Sequence, residues 1–243
     1  MQTLSPFVDQ LIAAHRTGGR FRPEHEVPTT VDAAYLVHEA LMEALGPIGG
    51  FKVSQKPNQA AVVAPIPESR CRPSGAHFAA SAGAEVELEI GFVVVDTVPE
   101  PSDPEFRRRL LSAVRPAPMI EVVASRIDGP LGADPFVKLA DLQACDALIF
   151  GDAHLAWQGT DMAHADALFT AGERTVFEGR GAVPAGTAVD ALVTAVHVLR
   201  DRFGGLQPGQ KLLTGALFAP SVAMRGRRHS GSIEGLGKVT VDL

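Results

Sequence analysis

The sequence predicts an α+β protein, and three observations carry that prediction. Amphipathic helical patterns fill the first 48 residues; from Gly49 onward the apolar residues shift toward strand-like alternation; and two well-punctuated helices interrupt the strands that follow. A single domain over 1–243 is expected, with a helical part (1–48) packed on a β-rich core (49–243).

The elements follow in order. "MQTLSPFVDQLIAAHR" places Leu4, Phe7, Val8, Leu11 and Ile12 at helical spacing, and its Asp9 is unlike a signal peptide. In "PTTVDAAYLVHEALMEALGP", Thr29 or Thr30 caps a second helix, Asp32 sits in its first turn, and Gly46-Pro47 stops it. Leu36, Leu41 and Leu45 are its expected buried stripe, with Tyr35 and Met42 beside them. "GGFKVS" reads as a strand, and the proline-rich "APIPESRCRPSG" as an irregular loop. "AEVELEIGFVVV" is a strand, followed by a helix over "PSDPEFRRRLLSAV" capped by Ser102 or Asp103. "PAPMIEVVASRI" and the end of "LADLQACDALIFG" are further strands, and residues 154–181 form hairpins around "GERTVF". "GTAVDALVTAVHVLRDRFGG" is a helix from Thr187 to Gly204-Gly205, and the tail holds several short strands with glycine turns.

Composition narrows the function classes. Apolar residues make up 46% of the chain and charged residues 21%, the balance of an ordinary globular protein. The 22 basic and 28 acidic residues give a net charge of -6, so neither nucleic acid nor an anionic membrane is an expected partner. "MRGRRH" at 224–229 is a local exception, read as a solvated turn. No uncharged apolar run approaches the roughly 18 to 20 residues of a membrane-spanning helix. Cys71 and Cys145 stand far apart in no CxxC spacing, which fits a reducing, cytoplasmic location.

The chemistry concentrates on the glutamate strand. Alternation puts Glu85, Glu87 and Glu89 on one face, and Gly91, Val93 and Val95 continue that face, so the carboxylates stand at the rim of a core. A half-exposed strand with an acidic face has the same pattern. Carboxylates about 7 Å apart along a strand can nevertheless converge on one divalent ion, and hard oxygen ligands select Mg²⁺, Mn²⁺ or Ca²⁺ over zinc. Glu121, alone in the apolar run "PMIEVV", is costly to bury unless paired or metal-bound. Lys52 projects opposite Phe51 and Val53; beside such a cluster it neutralises a substrate carboxylate or, if desolvated, moves a proton near neutral pH. His154 and His164 match no metal-ligand spacing, and GxGxxG, P-loop and GxSxG patterns are absent.

Read in order, "DAAYLVHEAL", "GFKV", "VELEIGFVV", "MIEVVASRI", "LADLQACDALIFG", "LLTGAL" and "GSIEGLGKVTVDL" resemble the 2-keto-4-pentenoate hydratase / 4-oxalocrotonate decarboxylase branch of the fumarylacetoacetate hydrolase superfamily, over most of residues 28–243. The resemblance implies a mixed β-roll or barrel with N-terminal and peripheral helices, assembled into homo-oligomers. It implies Glu87, Glu89 and Glu121 as ligands of Mg²⁺ (or Mn²⁺), with Glu85 at the rim. It also implies Lys52 as the catalytic and substrate-binding lysine, and Thr214 and Asp141 as substrate-binding residues.

The chain departs from the family's pattern in two places. After Lys52 it reads "SQKPNQAAVVAPIPESR", without an acidic residue before Glu68, and Leu142 and Ala144 stand where the family has polar partners of Asp141. The implied reaction is metal-dependent hydration of a small 2-oxo or 2-hydroxydienoic acid through a stabilised enolate. Decarboxylation of an oxalocrotonate-like diacid and C–C hydrolysis of an acylpyruvate are the alternatives that use the same enolate. A non-catalytic binder of metal and 2-oxo acid is the alternative from another class.

Overall fold

The computed structural model describes residues 4–55, 59–81, 83–184 and 186–243. The first three residues of the N-terminal stretch and residues 56–58 of the passage after Lys52 lie outside the described residues. Helices α1 (Ser5–Thr17) and α2 (Val31–Leu45) lead into strands β1 (Ile48–Ser54), β2 (Val62–Pro67), β3 (Cys71–Pro73) and β4 (Ala76–His77). The long β5 (Glu85–Val94) follows, then α3 (Phe106–Ala113), β6 (Val114–Val123), α4 (Pro135–Ala140) and β7 (Cys145–Phe150). A hairpin, β8 (His164–Ala171) with β9 (Arg174–Ala182), precedes α5 (Ala188–Leu199). The chain closes with β10 (Lys211–Ala216), β11 (Ser221–Val222), β12 (Arg228–Ile233) and β13 (Gly237–Asp242).

The helices begin and end for local reasons. Thr30 Oγ1 accepts the Ala33 N–H at 3.1 Å, and Gly46, at φ +100°, ends α2 with its own N–H on the Met42 carbonyl. Thr187 caps α5 in the same way through the Asp190 N–H. Of the predicted stripe of α2, Leu41 is buried and Leu45 half-buried, but Leu36 is 44% exposed and Tyr35, Val37 and His38 are buried beside Leu41 instead. Apolar residues surround much of this helix, so its pattern alone did not fix the rotation. Helix α3 starts at Phe106, later than the predicted cap, with Asp103 Oδ1 accepting the Glu105 N–H instead. The six-residue α4 has too few turns to show a period, and the sequence reading passed over it.

The passage 64–75, predicted as a loop, contains strand. β2 pairs antiparallel with β1, and β3 pairs parallel with β7. Pro65 and Pro67 are tolerated because β2 lies at the end of its sheet, where no further strand needs its N–H groups.

Two sheets organise the core. The larger runs β2-β1-β10-β5-β6-β7-β3, with β11 also on β5, mixes parallel and antiparallel pairs, and curls into a half-barrel. The smaller runs β4-β13-β12-β8-β9, so the chain crosses between sheets from β3 to β4. The convex side of β5 carries Val86, Leu88, Ile90, Phe92 and Val94, all buried against the second sheet and α5. Phe7, Leu11, Val37, Leu41, Val137 and Leu139 form a second cluster joining α1, α2 and α4.

On the other face of β5, strands pack closely. Gly91 lies opposite Ala117 of β6, and a Cβ there would stand 2.8 Å from the Leu212 carbonyl oxygen and 2.3 Å from Met119 Sδ. Met119 can swing away, but the β10 backbone cannot. Gly91→Ala is therefore expected to destabilise the fold by about 1 to 3 kcal/mol, read as a lower urea midpoint with an unchanged slope. An unmoved midpoint would show that β5 and β10 are free to separate.

Candidate metal centre and active site

The concave face of the half-barrel gathers the charged residues. β5 and β6 pair without a register break, with Glu87 directly opposite Glu121 and Glu89 opposite Met119. Cross-strand neighbours stand about 5 Å apart at Cβ, and two carboxylates there repel each other. Glu89 and Glu121 are fully buried, Glu87 is half-buried, and Glu85 at the strand's start is exposed. One carboxylate oxygen from each of Glu87, Glu89 and Glu121 lies within 4.8 Å of the others.

Lys52 completes the cluster from β1. Three strand spacings separate β1 from β6, about 14 Å on a flat sheet, yet Lys52 Nζ lies 2.8 Å from Glu121 Oε1 and 2.7 Å from Oε2. Curl of the sheet, together with the length of both side chains, closes that gap. Burial works against the charge on Lys52, but the attraction of Glu121, Glu87 and Glu89 outweighs it and holds the ammonium above the ordinary lysine value. Lys52 is thus a fixed cation in the ion-free cluster, suited to neutralising charge.

Glu89 is held from the opposite side. The β10–β5 register shifts between Leu213 and Ala216, and Gly215, at φ +111°, turns its N–H onto Glu89 Oε2 at 2.7 Å. Thr214, one of the residues lining the cavity, donates through Oγ1 to the Ile90 carbonyl at 2.5 Å. Asp141 lies elsewhere. It is buried, accepts from Ser125 Oγ at 3.0 Å and the Arg126 N–H at 2.8 Å, and has His15 Nε2 at 3.3 Å. It is not among the residues lining the cavity, so its place is beneath the wall, away from direct ligand contact.

The cavity measures about 420 Å³, the size of a small-molecule site. Lys52, Glu87, Glu89 and Thr214 line it together with Ser54, Gln59, Lys138, Leu139 and Gln143, whereas Glu121 is fully buried and is not a lining residue. Leu142 and Ala144 are buried away from it. Gln143, Lys138 and the Gly215 amide were not singled out from the sequence. No residue-type pattern marks a backbone N–H, and the other two sit on α4 and the turn after it.

The donor set fits a divalent ion. Three carboxylates against one ammonium leave the cluster two positive charges short when all three are ionised. Glu89 Oε1 has no hydrogen-bond partner among the described residues, and Glu121 Oε2 has only the Lys52 charge. Burial first, then repulsion from Glu121, lifts the Glu87 carboxyl from 4.5 to about 7; Glu89 is lifted well above its ordinary value by burial, Glu121 and Glu87. Between those two values the folded, ion-free protein binds a proton at Glu87 that the unfolded chain has released. Stability is therefore expected to fall as pH rises from about 4.5 to 7, by at most about 3 kcal/mol from Glu87. Divalent-ion affinity runs the other way, strengthening over the same window as the carboxylates deprotonate. Thermal melts across this range with and without Mg²⁺ check both slopes. A Mg²⁺ effect that does not change with pH would contradict them.

No family model matches the chain. The 2-keto-4-pentenoate hydratase of Paraburkholderia xenovorans (strain LB400) is 29% identical over 167 residues, covering 65% of this chain and 58% of the hydratase. Among solved structures, 4-oxalocrotonate decarboxylase from Pseudomonas putida G7, complexed with magnesium and adipate, superposes with a TM-score of 0.78. That match covers 99% of this chain and 97% of the decarboxylase, at 20% identity. The fold is that of 4-oxalocrotonate decarboxylase. A fumarylpyruvate hydrolase from Pseudomonas aeruginosa, in complex with Mn²⁺ and pyruvate, is more distant at a TM-score of 0.55 and 16% identity, covering 79% of this chain and 87% of the hydrolase. The resemblance to the hydratase and decarboxylase branch thus holds in both sequence and fold.

Proposed function

We propose that the protein is a lyase dependent on a divalent metal, Mg²⁺ or Mn²⁺, that adds water to a small 2-hydroxydienoic acid. The observation that carries this reading is the charge-deficient trio Glu87, Glu89 and Glu121, of which Glu87 and Glu89 line a cavity of small-molecule size. The hydratase relative and the solved structures bound to magnesium or manganese support the same direction.

A divalent ion held by the trio would supply Lewis-acid polarisation of the oxygens of a bound 2-oxo or 2-hydroxy acid. The protein's own groups orient and neutralise. Lys52 Nζ donates a hydrogen bond to Glu121 Oε1 and the residue lines the cavity, so its ammonium has capacity left to donate to a ligand carboxylate or to oxygen charge developing at C2. The Gly215 N–H fixes Glu89, and Thr214 offers an acceptor. In the net reaction on 2-hydroxypenta-2,4-dienoate, the enol proton ends on C5, the hydroxyl of water on C4 and its remaining proton on C3. A cytoplasmic location and homo-oligomeric assembly belong to this reading and rest on the sequence.

Purified protein given Mg²⁺ and 2-hydroxypenta-2,4-dienoate is expected to deplete the diene absorbance and yield a product heavier by one water; a chelator stops the reaction. Release of CO₂ from an oxalocrotonate-like diacid, without hydration, would reassign the chemistry to decarboxylation. Metal-dependent binding without turnover of any such acid would make the protein a binder.

A further inference from the structure

Helix α1 carries a titratable group inside its apolar stripe. Its buried residues are Phe7, Leu11, Ala14 and His15, at the i, i+4, i+7, i+8 spacing of one helix face. Phe7 and Leu11 pack with Val137, Leu139 and Leu142, on and just after α4. Leu139 also lines the cavity, so α1 backs the cavity wall. His15 faces Asp141, which opens the turn where Leu142, Gln143 and Ala144 have φ angles of +51°, +57° and +60°.

The surroundings of His15 are balanced in charge only while its ring is neutral. Asp141 Oδ1 stands 3.3 Å from Nε2, yet neither atom has a hydrogen-bond partner among the described residues. Asp146 accepts from Arg126 at 2.7 Å and from Arg70 at 3.1 Å. Arg126 also comes within 3.9 Å of Asp141, and Arg70 donates to the His15 carbonyl at 2.6 Å. Two carboxylates thus already face two guanidiniums. His38 of α2, which burial lowers to about 4, is neutral near pH 6, and Arg16 is exposed on α1, donating to the Ala44 carbonyl. A proton on His15 is therefore an unbalanced buried charge. Burial holds the ring below the ordinary histidine value of 6.5; the Asp141 carboxylate opposes this, and Arg126 and Arg70 add to it.

The chain just after α1 supplies a joint. Gly18, at φ +70°, ends the helix and Gly19 follows, whereas Phe21 is bonded through its backbone to Arg126 and Asp128. Only Gly18, Gly19 and Arg20 separate the helix from that fixed point. We propose that α1 is a proton-released cover of the cavity wall, in which protonation of His15 swings the helix about Gly18 and Gly19 and strips Phe7 and Leu11 from α4. The docked ring takes up its proton less readily than the free one. Docking is therefore strongest above pH 6.5 and weakens as pH falls below it.

The test is hydrogen exchange of the full chain without added metal, between pH 7.5 and 5, expressed as protection factors. Protection of the α1 amides is expected to fall severalfold per pH unit below pH 6.5, and at most about tenfold, the limit for one proton. Residues 137–142 should follow α1, while β5 should keep its protection and so report that the fold stays closed. His15→Gln can offer an N–H to Asp141 but binds no proton, and its α1 should be protected equally at every pH. The His15 ring, followed by NMR in the unaltered protein, should titrate below pH 6.5 with the midpoint of the α1 curve. Steady α1 protection in the unaltered protein, a fall shared by β5, a wall that keeps its protection when α1 loses it, or the same slope in His15→Gln would each overturn the proposal. A ring that titrates at or above pH 6.5 would overturn it as well.

Discussion

Glu89→Gln is expected to raise the melting temperature of the metal-free protein while abolishing the further rise that Mg²⁺ produces. The two effects have opposite signs because the carboxylate is a liability without an ion and a ligand with one. Glu89 is fully buried, with Oε2 on the Gly215 N–H and Oε1 unpartnered, and burial together with Glu121 and Glu87 disfavours its charge. A glutamine keeps the shape and accepts the Gly215 N–H through its carbonyl oxygen, without repelling its neighbours. Relief of about 1 to 3 kcal/mol corresponds to roughly 2 to 10 °C for a chain of this size. Saturating Mg²⁺ at about one hundred times its dissociation constant adds about 2.7 kcal/mol to the unaltered protein, and the variant should lose that increment. Turnover of a 2-hydroxydienoate should fall at least about 100-fold. Differential scanning calorimetry with and without Mg²⁺ decides the matter. A metal-free variant that melts lower, or one that keeps the full Mg²⁺ increment, would remove Glu89 from the ion's ligands.

Lys52→Met should do the reverse to the metal-free protein. The substitution leaves Glu121 buried beside Glu87 and Glu89 with no cation, and breaking a buried pair from one side costs about 3 to 5 kcal/mol. The loss should be greatest above pH 7, where the carboxylates are forced to ionise, and should shrink as falling pH lets them take up protons. Mg²⁺ supplies the missing positive charge, so its stabilising increment should exceed that of the unaltered protein. Urea denaturation at pH 5.5 and 8, each with and without Mg²⁺, gives the four comparisons. A variant as stable as the parent at pH 8 without metal would mean that Lys52 does not neutralise the cluster. Turnover of a 2-hydroxydienoate is expected to be lost even with the fold restored by metal, because methionine has no donor to replace Nζ at the cavity.

How much of this was legible depends on what a residue type can signal. Glu87, Glu89, Glu121 and Lys52 stood out because strand alternation assigns each a face, and a charge among apolar neighbours needs a partner wherever that face is covered. The half-barrel itself came from resemblance, since alternation gives faces but neither strand order nor curl. β2 was read as loop because Pro65 and Pro67 suggest irregular backbone, and only its place at the sheet's end makes them harmless. Gln143 was passed over because "LADLQACD" has no glycine to announce a left-handed turn; the conformation is held by Ser125 and Arg126, just after β6, through Asp141. Asp141 was legible as a residue with a role, but its side chain serves the backbone of the wall.

The register shift in β10 also limits which mutations the chain can absorb. Its extra residue lets Gly215 face Glu89 while Leu217, beyond it, still hydrogen-bonds to Leu88 and packs under Gly181 in the core. Removing one residue there would make the ladder regular while keeping Ala216 opposite Glu89 and Leu217 beside Leu88. Leu217 would keep its place in the core, but the amide that steadies Glu89 would be withdrawn. Shortening this segment would thus spare the hydrophobic seal and strip a buried carboxylate of its backbone donor.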